Sequence, residues 1–217
     1  MREIKKTELL HSQVYHIVKT MVMEGEFRPG KRLVETKTAE KLGVSRGTVR
    51  EAFRMLIKDG LLVQDEGMVF VYNPGPQDIL DVYECRKSLE SLAIRLAANN
   101  INKEQLDRLQ LIVEESKEAV RMNNSEKLTT LNHEYHGIIV IASHNKQLIQ
   151  LFDVINAKVL YIRNCILKNR FKSFEEFVED HERIFSALKE GNPAEAEKEM
   201  LSHIEKSLEV ANTSISI

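Results

Sequence analysis

The stretch from Thr36 to Tyr72, TKTAEKLGVSRGTVREAFRMLIKDGLLVQDEGMVFVY, limits what this chain can fold into more than any other. Ala39, Leu42 and Val44 end a short helix at Leu42-Gly43, and Ser45 caps a second helix running to about Asp59. Helix, tight glycine-containing turn, helix is the helix-turn-helix pattern, whose second helix enters a DNA major groove. Leu61-Leu62-Val63 and Met68-Val69-Phe70-Val71 read as two strands around Asp65-Glu66-Gly67, a hairpin wing. Ser45, Arg46, Thr48 and Arg50 stand at the start of the second helix, where side chains meet bases and phosphates, and Gly67 stands at the wing tip. Arg46 and Arg50, four apart, project from one face, while Val49, Phe53, Leu56 and Ile57 fall on the core side. An arginine pair alone also fits a plain solvated helix face. The turn and the wing favour a DNA reader.

The rest of the composition says what surrounds that reader. Trp is absent, and 9 Gly and 4 Pro in 217 residues leave long apolar-periodic runs, so the class is mostly α. No run is apolar and long enough to span a bilayer, and the N-terminus MREIKKTELLHSQ has no apolar signal core, so a cytoplasmic protein without a membrane partner is expected. Cys85 and Cys165 lack the spacing of a metal or redox motif and read as two core thiols. The net charge of −2 divides unevenly: residues 1–76 hold 13 Lys/Arg and 10 Asp/Glu, or +3, and the remainder 18 and 23, or −5. That asymmetry suits a DNA-facing first part and an acidic body held off the phosphates. A helix over about Thr7–Glu24 with Leu10, Val14, Ile17, Val18 and Met21 as its buried stripe precedes the reader. Asn73-Pro74-Gly75-Pro76 is the one Pro/Gly cluster and predicts a boundary: a winged helix-turn-helix domain over 1–74 and a second domain over 75–217.

The second domain shows no strand alternation. Six helices are expected, at about 77–99, 103–122, 125–143, 145–168, 174–190 and 193–211, with Ser173-x-x-Glu176 and Asn192-Pro193-x-Glu195 as starts and Gly191 as a stop. An all-α antiparallel bundle follows. Phe174, Phe177, Val178, Ile184, Phe185 and Leu188 form one apolar stripe that contains His181; Met200, Ile204, Leu208 and Ala211 form another that contains His203. Both histidines lie 11 residues from Asn192 at the turn, so in an antiparallel pair each sits about 16 Å from it and they stand level. Asn132 and His136 are one turn apart on another helix. Facing helices that carry such residues are how bundles build an internal metal site; hydrogen-bonded core histidines are the plainer alternative.

Two sets of motifs carry a family resemblance. Phe27-Arg28-Pro29-Gly30 through Leu33, Leu42-Gly43-Val44-Ser45-Arg46, Val49-Arg50-Glu51-Ala52 and Asp59-Gly60-Leu61 resemble the winged-helix reader of the GntR family of bacterial transcription regulators. Members often carry Thr-Pro or Thr-Thr where this chain has Gly47-Thr48, so a contact from position 47 is missing. Leu131-Asn132-His133-Glu134-Tyr135-His136, Ala142-Ser143-His144-Asn145, Asp180-His181-x-x-Ile184 and Met200-x-x-His203 resemble the ligand-binding FCD domain of the FadR subgroup. That resemblance implies a divalent metal, Zn²⁺ or else Ni²⁺ or Mn²⁺, on His136, His181 and His203, with Asn132 where the family usually has Asp. Tyr83-x-x-Arg86-x-x-x-Glu90 resembles the pattern whose Arg holds an effector carboxylate, and Arg163 is a second candidate; a simple Arg86–Glu90 pair is the alternative. The function implied is a homodimeric repressor, not an enzyme, that binds a palindromic double-stranded operator and answers to a small organic or sugar acid. A regulator signalled by the ion itself, and a metalloenzyme, are the other readings.

Overall fold

The computed structural model describes residues 9–166 and 174–215. They pack as two compact units, one of residues 9–78 with 156–166, the other of residues 79–155 with 174–215. In the first, α1 (Leu10–Met23) lies across α3 (Arg46–Lys58), with α2 (Glu35–Leu42) leading into α3. α1 buries Val14, Val18, Met21 and Val22, whereas Leu10 and Ile17 of the expected stripe are 51% and 46% exposed. At about 100° per residue, Val22 joins the arc of Val14, Val18 and Met21, and Ile17 falls at its rim. Residues before Leu9, where the helix was expected to begin, lie outside the described part.

The turn between α2 and α3 forms as its residues dictate. Gly43 takes φ +66°, a left-handed conformation that costs glycine little, and closes α2. Ser45 caps α3: its Oγ accepts from the Thr48 backbone N–H at 3.1 Å. Strands β2 (Leu62–Asp65) and β3 (Met68–Val71) pair antiparallel with Leu62 opposite Val71 and Asp65 opposite Met68. Glu66 and Gly67 between them have φ +46° and +77°, the two-residue hairpin loop whose twist matches the strands. A strand not anticipated, β1 (Arg32–Leu33), adds to β3 and completes a sheet ordered β1-β3-β2. Two residues are too few for any alternation to show in sequence.

Phe53, Leu56, Leu61, Leu62 and Val71 fill the core of this unit, and Tyr161 joins them at 0% exposure, its hydroxyl donating to the Tyr72 carbonyl at 2.6 Å. Residues 156–166 therefore pack with the first unit although they lie far past residue 74 in the chain. In the sequence, Tyr161 simply continues a helical run.

The second unit is built from α4 (Pro76–Asn100), α5 (Lys103–Arg121), α6 (Ser125–Ala142), α7 (Lys146–Tyr161), α8 (Phe174–Lys189) and α9 (Pro193–Ile215), with the first residues of α4 and the last of α7 grouped with the first unit. α8 packs against α9 and α5, and α5 against α6. Asn102 and Gln105 form a reciprocal capping box on α5, and Asn124 caps α6. Gly191, at φ +64°, ends the α8 segment, and Asn192 Oδ1 accepts from the Glu195 N–H at 3.2 Å to start α9. The helix expected over 145–168 changes at Tyr161 into a π-helical turn, Ile162–Ile166; its expected end, like Ser173 as a cap, lies outside the described residues, as do the side chains of Cys165 and Phe174. Cys85 is exposed rather than in the core, because it falls on the solvent side of α4.

α4 has an unusual inner face. Ile79, Val82, Tyr83, Ala93, Ile94 and Ala97 are buried, and so, at 3% and 1% exposure, are Arg86 and Glu90. Charged groups seldom go inside without close partners.

Candidate metal centre and DNA-reading helix

His136 on α6, His181 on α8 and His203 on α9 are all buried, and each offers a ring nitrogen within 4.8 Å of the others. Ring centroids are 5.3 Å apart for His136–His181, 5.2 Å for His136–His203 and 4.7 Å for His181–His203. The level placement of His181 and His203 across the α8–α9 turn is as the register predicts. Tyr135 fixes one of the three: its ring stacks on His181 at 4.1 Å and its hydroxyl donates to the His181 carbonyl at 2.8 Å. Phe177 meets the His203 ring edge-on at 5.6 Å.

A carboxylate holds one of the rings from behind, and a second carboxylate lies close to another. Glu90 Oε2 lies 2.5 Å from His136 Nδ1, and Asp180 Oδ2 lies 3.5 Å from His203 Nδ1. A carboxylate behind an imidazole orients it and raises the basicity of the opposite nitrogen, which is the second layer metal-binding histidines usually have. Burial pushes the Glu90 carboxyl up, but Arg86 and His136 outweigh it and hold it well below the usual carboxylate range. Asp180 is likewise lowered despite burial, by His203 and by Lys206, whose Nζ is 2.7 Å from Oδ1; Arg183 pairs with the same oxygen. Three converging imidazoles backed by anions are a donor set that fits Zn²⁺, Ni²⁺ or another borderline divalent ion. Asn132, expected as a fourth donor, is half-buried one helical turn before His136.

Arg86 completes the cluster. Its Nε donates to Glu90 Oε1 at 2.5 Å and its Nη2 to His136 Nε2 at 3.2 Å, while Nη1 is buried without a hydrogen bond among the described residues. The i,i+4 pair with Glu90 therefore forms, and the same guanidinium reaches the histidines. Glu90, the last residue of the Tyr83-x-x-Arg86-x-x-x-Glu90 pattern, is itself inside the cluster. The helical spacing of Ile79, Tyr83, Arg86, Glu90 and Ala97 along one face of α4 is the signal that could have placed it inside. Arg163 sits half-buried on the π-helical turn, among the residues grouped with the first unit.

On the reading helix, Arg46 and Arg50 have exposed side chains, and Thr48 Oγ1 lies 2.8 Å from Ser45 Oγ. Gly67 is at the exposed tip of the wing. Glu35 at the start of α2, a residue the sequence reading passed over, takes Arg50 through Nε at 3.0 Å and Nη2 at 2.8 Å and lies 3.9 Å from Arg46. The Arg50 hydrogen bond, ahead of other causes, lowers the Glu35 carboxyl. Its spacing from the arginines, 11 and 15 residues, carries no periodic signal.

A three-stranded winged helix-turn-helix followed by a helical bundle with a polar, histidine-lined interior defines a transcription regulator with a DNA-binding head and a separate helical domain. The chain belongs to the GntR family: residues 10–70 match the bacterial regulatory proteins of that family, and residues 81–206 match the FCD domain. It is 32% identical over 203 residues to the HTH-type transcriptional regulator YdhC of Bacillus subtilis, covering 93% of this chain and 90% of that one. It is 28% identical over 197 residues to a probable D-xylose utilization operon transcriptional repressor of Paenarthrobacter nicotinovorans, covering 89% and 84%. The fold matches that of E. coli McbR/YncC with a TM-score of 0.78 at 22% identity, over 95% of this chain and 99% of the other. No helix among the described residues is long and apolar enough to cross a membrane.

Proposed function

We propose that this regulator represses transcription as a cytoplasmic homodimer on a palindromic operator and is controlled by a small carboxylate that binds beside a divalent ion in the helical bundle. The observation that carries the proposal is the convergence of His136, His181 and His203 from three helices, with Glu90 and Asp180 behind two of them. His136, His181 and His203 would hold the ion, with Asn132 supplying a neutral and therefore weak oxygen. Bound there, the ion would supply positive charge and open coordination positions for an acidic ligand. Arg86, whose fork suits a carboxylate, would hold that ligand as an organic or sugar acid. No catalytic role is assigned, because Glu90 is engaged with Arg86 and His136, and Asp180 with Lys206 and Arg183.

Ser45, Arg46, Thr48 and Arg50 would meet the operator in the major groove, with Gly67 letting the wing tip approach the backbone closely. A dimer would set two such helices one turn of DNA apart. The test is binding of the full chain to duplexes selected from a randomised pool, measured without additions, with metal alone, and with metal plus a panel of organic and sugar acids. Release by the acids supports the proposal. Release by metal alone would make the ion the signal, and indifference to both would remove the bundle from control.

A further inference from the structure

We propose that Arg86 is a displaceable plug on the metal centre: it occupies the one nitrogen through which His136 would ligate an ion. The inference rests on the metal reading above and goes to its regulation. Glu90 Oε2, 2.5 Å from His136 Nδ1, belongs to a carboxylate that only accepts, so Nδ1 carries the ring proton. A guanidinium only donates, so the 3.2 Å contact from Arg86 Nη2 makes Nε2 the acceptor. Nε2 has a single in-plane lone pair. A metal ion about 2.0–2.1 Å from that nitrogen and an N–H aimed at it compete for the same electrons, so the two arrangements exclude each other. Arg86 cannot withdraw by losing its proton. It has to move.

The surroundings allow that movement. Nε stays anchored on Glu90 Oε1 at 2.5 Å, and beyond it Nη2 meets His136, the Tyr83 ring lies 5.8 Å from the guanidinium carbon, and Nη1 is buried with no hydrogen-bond acceptor among the described residues. A small carboxylate offered to Nη1 and Nη2 would satisfy both and draw the fork off Nε2. The anion and the ion thus favour the same position of Arg86, and each raises the affinity of the other by the same factor. Arg86 accordingly does two things in turn: it neutralises Glu90 and caps His136 when the site is empty of ligand, and it holds the ligand when the ion is bound.

Calorimetric titration of chelator-stripped, full-length protein with Zn²⁺, with and without sodium acetate, tests this, after subtracting the separately measured association of acetate with Zn²⁺. The wild type should bind Zn²⁺ more tightly in acetate. Arg86→Met should bind it about tenfold or more tightly than wild type and gain less from acetate than wild type does, keeping only what direct ligation of the ion by acetate supplies. A folded Arg86→Met protein with equal or weaker Zn²⁺ affinity overturns the plug. Should that variant not fold, the wild type decides, and a Zn²⁺ affinity indifferent to acetate overturns it equally. Zn²⁺ binding by Arg86→Met alone supports the plug in its strongest form. Binding by neither protein removes the metal reading itself, and the plug with it.

Discussion

Tyr161 is the residue whose removal tests the architecture most sharply. It is fully buried in the winged-helix core and its hydroxyl donates to the Tyr72 carbonyl at 2.6 Å. Truncating a buried aromatic typically costs about 3–5 kcal/mol, which is a large share of the stability of a small unit, about 5–15 kcal/mol. The hydroxyl's hydrogen bond to the Tyr72 carbonyl itself contributes about 1 kcal/mol. A chain of two units need not unfold in one step, so the loss has to be read locally. Hydrogen exchange followed peptide by peptide does that. Tyr161→Ala should speed exchange of the amides over residues 49–72 by about two to four orders of magnitude, and Tyr161→Phe by about fivefold. Peptides of α5 and α8 should change far less. Unchanged protection over 49–72 in Tyr161→Ala would refute the placement of this side chain in the winged-helix core. A fragment of residues 1–74, which lacks Tyr161, should bind DNA more weakly than the full chain, for want of this packing as well as of the proposed dimer.

Arg46→Ala and Arg50→Ala should each weaken operator binding about tenfold without lowering the melting temperature, as a mobility-shift titration reads directly; unchanged affinity in both would remove them from the interface. His181→Ala should abolish binding of a divalent ion, and Asn132→Asp should tighten it by replacing a neutral oxygen with a charged one; calorimetry on chelator-stripped protein measures both. Stability should fall as the pH drops through and below the usual carboxylate range, because Glu90 and Asp180 are lowered in the folded protein: the unfolded chain takes up protons near pH 4 that the folded chain refuses. Glu90→Gln should flatten that acid limb in thermal melts at a series of pH values, and an unaltered limb would count against the buried network.

Local chemistry was legible in the sequence where it depended on neighbours along the chain. Gly43 ends α2 and Ser45 caps α3 because a left-handed φ and a side-chain acceptor are local needs. The Glu66-Gly67 turn sets the hairpin register, and equal distances from Asn192 bring His181 level with His203 through helix rise alone. The motifs of the reader and of the helical domain lie in these same local patterns, so the family could be read from them. Tertiary packing decided what joins residues with no periodic relation. Strand β1 exists only because β3 offers an edge; Glu35 reaches Arg50 only because α2 folds back along α3; Tyr161 fills a hole that other segments make. Glu90 and Arg86 could be seen as a helical pair, but only the approach of α6 turns that pair toward His136. A buried charge is stable only with partners at hydrogen-bond distance, and those partners come from elements remote in sequence.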